Sequence, residues 1–161
     1  MTEEFYFFWK HRLSQWHMVN FVVDGIIFNC CEQFMMCSKA LLFNDLETSY
    51  KIMDSRNPYE HQQLGRRVKN FDLDKWNEHA RDIVYTGNYA RFTQNEDDKE
   101  LLLSTGNKQI VESSPVDKIW GIGLAATDPR ALNRATWRGT NWLGEVLTQV
   151  REDIKKQENL I

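Results

Sequence analysis

Residues 28–43 read FNCCEQFMMCSKALLF. Asn29 offers an N-cap, and the run behind it predicts a helix reaching about Phe43. At about 100° per residue, Phe34, Cys37 and Leu41 fall on one face and Met36 and Phe43 on the other. A helix that is apolar on both faces is buried among other elements.

Glu32 and Lys39 break this apolar surface. They stand seven residues apart, which returns them to nearly the same face with a rise of about 10.5 Å between them. Helical side chains lean towards the N-terminus, so Lys39 points back towards Glu32 and leaves room for a small group. Two readings stay open at this point. One is a buried ion pair, or a lysine whose head snorkels to water. The other is a catalytic pair. A Lys in an apolar pocket gives up part of its preference for charge and becomes a base or nucleophile. A Glu beside a sugar can activate water or stabilise an oxocarbenium-like transition state.

The cysteines Cys30, Cys31 and Cys37 crowd into the same helix. They form no C-x-x-C, and His11, His17, His61 and His79 form no HxxxH or HxH pair. Neither zinc nor a disulfide framework fits this spacing, so core-filling thiols in a reducing compartment are expected. No metal or other cofactor is called for.

Outward from this helix the punctuation is clear. FYFF at 5–8 and VNFVV-DG-IIF at 19–28 read as strands, with Asp24-Gly25 as a hairpin turn. Asn44 or Asp45 caps a second helix, DLETSYKIMDS. Asn57-Pro58 starts a third and Asp72 or Asp74 a long fourth. DDKELLLST forms a fifth that stops at Gly106. KQIVESS is extended, residues 115–139 form a long ordered loop, and a last helix starts at Asn141. Leu143, Val146, Leu147 and Val150 give that last helix an i, i+3, i+4, i+7 stripe. The chain is 161 residues with 42% hydrophobic residues, enough for one packed core. An α+β, mostly α-helical single domain over 1–161 is expected, with a small N-terminal antiparallel β element. Its core runs from about 5 to 152, and 153–161 is a charged helix end. A net charge of −3 disfavours a broad nucleic-acid-coating surface but leaves room for a local basic cleft. No apolar run is long enough to span a bilayer. The acids of MTEEFYFFWKHR precede its bases, the reverse of a secretory signal, so a cytoplasmic protein is expected.

Three further stretches carry site signals. In Asp117-Lys-Ile-Trp120-Gly121-Ile-Gly123 an indole face and close backbone can receive a flat ligand, and Asp117 can hold a ribose hydroxyl. An ordinary turn with a core Trp reads the same way. Gly65-Arg66-Arg67 can grip a phosphate or simply end a solvated helix. Asn141 in Gly139-Thr-Asn141-Trp-Leu-Gly144 can cap the last helix and leave its N-terminus as an anion seat.

Taken in order, CEQFMMCSKA, LGRRV, the Trp76 helix with YARFTQN, LLLSTGNKQIVESSPVDKIWGIG and WRGTNWLGEVLTQVRE resemble the NADAR, or YbiA-like, family from about Phe5 to Glu152. The resemblance implies a compact YbiA-like fold and N-glycosidase chemistry at a ribose C1′. Two substrate classes come with it: phosphoribosylated intermediates of riboflavin biosynthesis, and guanine carrying ADP-ribose in nucleic acid or nucleoside. It implies Glu32, Lys39 and Asp117 as catalytic residues. It implies Ser14, Trp76, Trp120, Gly121, Arg66 and Asn141 as substrate-binding residues. The chain departs from the family pattern at Ser14-Gln15-Trp16, at Gln33 and in the loop from Leu124 to Arg138, all of which bear on substrate choice. A non-catalytic module binding ADP-ribose or NAD is the alternative, and it would not need Glu32 and Lys39.

Overall fold

The computed structural model describes residues 2–158; the last part of the charged end, from 159 on, lies outside the described residues. The elements in chain order are β1 (Phe5–Phe8), β2 (Phe21–Val23), β3 (Ile26–Phe28), α1 (Cys31–Leu42), α2 (Leu46–Met53), α3 (Pro58–Gly65), α4 (Leu73–Gln94), α5 (Glu96–Ser104), β4 (Gln109–Glu112) and α6 (Trp142–Gln157). Two 3-10 turns, Pro129–Leu132 and Arg134–Thr136, interrupt the loop before α6. The fold is α+β and mostly helical. The residues gather into two compact units: Gln15–Asn95, and the residues up to Ser14 together with those from Glu96 onward.

In the unit Gln15–Asn95, α1 packs on α2, α3 and α4. Its apolar faces explain this: Phe34, Met35, Met36, Cys37 and Ala40 are all buried. The expected hairpin is present. Phe21 pairs with Phe28 and Val23 with Ile26, and Asp24 and Gly25 both have positive φ, 50° and 78°, as a type I′ turn requires. The hairpin docks through aromatic contacts, with the Phe28 ring edge-on to Phe34 at 5.0 Å. Gln94 closes the hairpin's outer edge by bonding both the N–H and the C=O of Val22 at 2.8 Å.

The start of α1 differs from the sequence expectation. The cap is Cys30, not Asn29; its Sγ accepts from the Gln33 N–H at 3.4 Å. Gln33 is the reason. Its Oε1 accepts the Asn29 N–H at 2.8 Å, and its Nε2 donates to the Ile52 carbonyl at 3.1 Å. Asn29 stays buried, and its Nδ2 donates to the Ser55 carbonyl at 3.0 Å instead of capping α1. Asp45, Asn57 and Asp72 cap α2, α3 and α4 as expected.

In the second unit, β1 and β4 pair in parallel, Phe5 opposite Gln109 and Phe8 opposite Glu112. This pairing is additional to the antiparallel hairpin that the sequence suggested. Strand β4 carries α6 on one side, and Val111, Ile122, Leu124 and Ala131 form a small core with Phe5, Phe7 and Trp137. The stripe Leu143, Val146, Leu147, Val150 and Ile154 is buried. Arg151 is fully buried and satisfied: it donates to the Lys108 carbonyl at 2.6 Å and to Thr105 Oγ1 at 2.8 Å.

Candidate active site

Helix α1 holds Glu32 in its first turn and Lys39 in its last. Glu32 is buried, and its backbone N–H donates to the Gln15 carbonyl at 3.0 Å. A carboxylate at a helix start is stabilised by the unpaired N–H groups there. Lys39 is half-buried and has aromatic neighbours. Its Nζ lies 4.7 Å from the centroid of the Phe71 ring and 5.4 Å from that of Trp76. Phe71 stacks on Phe43 at 5.4 Å, and Lys75 Nζ lies 5.7 Å from Phe43.

Among the described residues no carboxylate forms an ion pair with Lys39. Glu32 acts on Lys39 electrostatically. Burial pushes the Lys39 pKa down, the Glu32 carboxylate raises it, and the Arg66 guanidinium lowers it; the net direction is down. Such an ammonium gives up its proton more easily than an ordinary lysine, while the two rings hold it in place.

Trp76 is buried in the first turn of α4, behind the Asp72 cap, whose Oδ1 accepts the Lys75 N–H at 3.1 Å. Arg66 is the exposed C-cap of α3. It follows Gly65, where a Cβ would meet the Met36 side chain and force it to move, so glycine brings the end of α3 close to α1. The unit Gln15–Asn95 thus places Lys39 against Trp76 and couples it electrostatically to Glu32 and Arg66. Phe71 is a neighbour that periodicity missed, because it lies outside any helix.

The thiols beside Glu32 are not nucleophiles. Burial pushes Cys30 up to about 11 and Cys31 up to about 12, so both stay protonated. Cys30 Sγ lies 3.6 Å from His61 Nδ1, and His61 Nε2 lies 2.7 Å from the Ser55 carbonyl. A carbonyl can only accept, so Nε2 carries the proton and Nδ1 accepts from the thiol. Among the described residues no group of three His, Cys, Asp or Glu side chains is placed to hold a metal ion.

Ser14, Asp117, Trp120, Gly121 and Asn141 belong to the other unit. Ser14 is half-buried, and its N–H donates to the His11 carbonyl at 2.7 Å. Asp117 builds a turn: its Oδ1 accepts the N–H groups of Ile119 and Trp120, both at 2.9 Å. Trp120 is half-buried and edge-on to Trp142 at 5.6 Å. Gly121 is crossed by Gly139, where any Cβ would meet the Gly121 carbonyl.

Two expectations at α6 need correction. Asn141 occupies the N-cap position but makes no side-chain cap. Its left-handed backbone, φ 53°, turns the amide towards β4. There Oδ1 accepts the Glu112 N–H and Nδ2 donates to the Ile110 carbonyl, both at 3.0 Å. The first helical N–H groups are not an open anion seat either. Trp142 N–H donates to the Ile119 carbonyl and Leu143 N–H to that of Trp120, both at 3.1 Å. Carbonyls of the Asp117 turn fill the place a phosphate would take.

Comparison with known proteins places this geometry in context. The model of the NADAR domain matches residues 7–155. The chain is 47% identical over 148 residues to N-glycosidase R617 of Acanthamoeba polyphaga mimivirus, covering 89% of this chain and 87% of the relative. It is 30% identical over 124 residues to N-glycosidase Npun_R5314 of Nostoc punctiforme, covering 77% of this chain and 72% of that one. The NMR structure of Escherichia coli YbiA superposes with a TM-score of 0.79 at 21% identity, covering 98% of this chain and 89% of that one. No described helix is long and apolar enough to cross a membrane.

Proposed function

The chain belongs to the NADAR domain family and is an N-glycosidase; on that premise we propose that it cleaves the C1′–N bond of a phosphorylated ribose through Lys39 and Glu32. The favoured substrate is guanine carrying ADP-ribose. The observation that carries the reading is Lys39 itself, a lysine without an ion-pair partner, half-buried between Phe71 and Trp76, with its pKa lowered and Glu32 on the same helix face.

The steps balance without an added reagent. The ribose ring opens as O4′ leaves C1′ and takes a proton, giving a C1′=N iminium to the base amine. Neutral Lys39 adds to C1′, the base nitrogen takes a proton and departs as a neutral amine, and a lysine iminium remains. Water adds to C1′, the C1′–Lys39 bond breaks, and the free sugar closes again. One water enters; one amine and one hydroxyl-terminated sugar leave. Glu32 shuttles the protons, work that is worth about 10²–10⁴ in rate. Arg66 supplies positive charge for the phosphates. For Trp120 and Gly121 the family resemblance implies substrate-binding roles, which mutation tests one residue at a time. Asp117, given a catalytic role by the same resemblance, fixes the Trp120 turn through Oδ1. Trp120→Ala is expected to raise KM.

The riboflavin-type phosphoribosylamine is the second reading, and the same lysine chemistry serves it. A side-by-side turnover assay separates the two. Release of ADP-ribose from ADP-ribosylated guanosine or oligonucleotide, leaving the unmodified nucleoside or strand, at a kcat/KM above that for the phosphoribosylamine, supports the proposal. The reverse order favours the riboflavin-type substrate, and binding of ADP-ribose with no turnover of either contradicts the catalytic role given to Lys39 and Glu32.

A further inference from the structure

Phe71 stands between α3 and α4 in the stretch VKNFDLDKW, residues 68–76. The turn that presents it is tied down on both sides. Before it, Lys69 N–H donates to Asp45 Oδ2 at 2.9 Å and Asn70 takes a left-handed backbone at φ 62°. After it, Asp72 caps α4. The ring is 41% exposed, yet it is not loose: it stacks on the buried Phe43 at 5.4 Å and 26°. It is also the nearest aromatic ring to the Lys39 ammonium, at 4.7 Å against 5.4 Å for Trp76. An exposed phenylalanine fixed by a capped turn and aimed at a lysine is poorly explained by packing alone.

We propose that Phe71 is the positioning residue for Lys39 in the reaction described above, and the inference rests on that reading. The ring face is negative and attracts a cation. Lys39 passes through two cationic states, the ammonium and the iminium, and the ring serves both. It also limits the rotamers of a long side chain that no ion pair holds, keeping Nζ on the Glu32 side of α1. The charged groups that act on Lys39 are Glu32 on α1 and Arg66 at the end of α3, while Lys75 on α4 lies over Phe43, the ring on which Phe71 stacks. Burial lowers the lysine's pKa most, Glu32 raises it and Arg66 lowers it, and the aromatic face acts on the cation beside these.

The test compares Phe71→Leu and Phe71→Tyr in the full chain, with Lys39→Met as the reference. Two readouts are followed against pH: turnover, and borohydride trapping of the protein with ribose 5-phosphate, whose open form is an aldehyde. Phe71→Leu keeps an apolar side chain but loses the ring. It is expected to move the acid limb of trapping to lower pH, because the cation loses its partner and the neutral amine gains. It should lower kcat about fivefold with KM little changed, the worth of one cation–π contact. Phe71→Tyr keeps the ring and should restore both. A folded Phe71→Leu with unchanged limb and kcat overturns the proposal, as does a change in KM alone. If Phe71→Leu fails to fold, the Lys39 ε-methylene resonance of the unaltered protein decides. A nuclear Overhauser contact from it to the Phe71 ring protons supports the proposal, and contacts to Trp76 with none to Phe71 overturn it. Persistent trapping and turnover in Lys39→Met would instead refute the reading of Lys39 beneath it. Loss in Lys39→Met with no effect of Phe71→Leu refutes Phe71 alone.

Discussion

The Lys39 corner of the Gln15–Asn95 unit and the Asp117–Asn141 region of the other unit treat polar groups in opposite ways. Around Asn141 they are tied to backbone: both ends of its amide bond β4, and Asp117 Oδ1 holds two N–H groups. Around Lys39 a cation is left with aromatic rings and no carboxylate in contact. The first arrangement stabilises a loop. The second, on the function proposed above, keeps an amine available for reaction. Mutations in the two regions should therefore separate stability from activity.

Lys39→Met is expected to have the largest effect, a loss of at least about 10³ in kcat, the scale of removing a nucleophile. Its thermal midpoint should hold or rise, since a partly desolvated charge is removed. Calorimetry alongside turnover checks both. Glu32→Gln should cost about 10²–10⁴ in kcat. It also removes the group that raises the Lys39 pKa, so the acid limb of borohydride trapping should move to lower pH. An unmoved limb would show that Glu32 and Lys39 are not coupled.

Asn141→Ala should reverse the pattern. It leaves the Glu112 N–H without its partner and removes one of two donors to the Ile110 C=O, which keeps Gln109 Nε2, at a cost of about 1–3 kcal/mol by denaturant titration. If turnover collapses at conditions where the variant is fully folded, Asn141 belongs to the active site directly and the contrast fails. Smaller still, Cys30→Ala should cost about 1 kcal/mol through the lost cap, while Cys30→Ser should recover most of it. Glu3→Gln breaks only an exposed pair with Arg134 and should change stability by less than about 1 kcal/mol.

Much of this organisation is local and was legible in the sequence. Asp45, Asn57 and Asp72 mark helix starts, Gly106 at φ 69° follows α5, and Asp24-Gly25 marks the hairpin. Glu32 and Lys39 share a face by helical arithmetic alone. The parallel pairing of β1 with β4 was not legible, because it joins strands far apart in sequence and nothing in FYFF names its partner. The Cys30 cap was hidden because a thiol is seldom read as an acceptor, and because Gln33 draws Asn29 away. The closure of the α6 N-terminus depends on loop carbonyls, which no side chain announces. Phe71 left one signal, a large aromatic directly before a capping Asp, and only the contact with Lys39 gives it meaning.

The most direct test of the account is to quench the enzyme with borohydride during turnover of ADP-ribosylated guanosine and map the modified peptide by mass spectrometry. The account requires a reduced sugar adduct on Lys39 that is absent in Lys39→Met. Continued turnover with the Lys39 peptide unmodified at every quench time would contradict it.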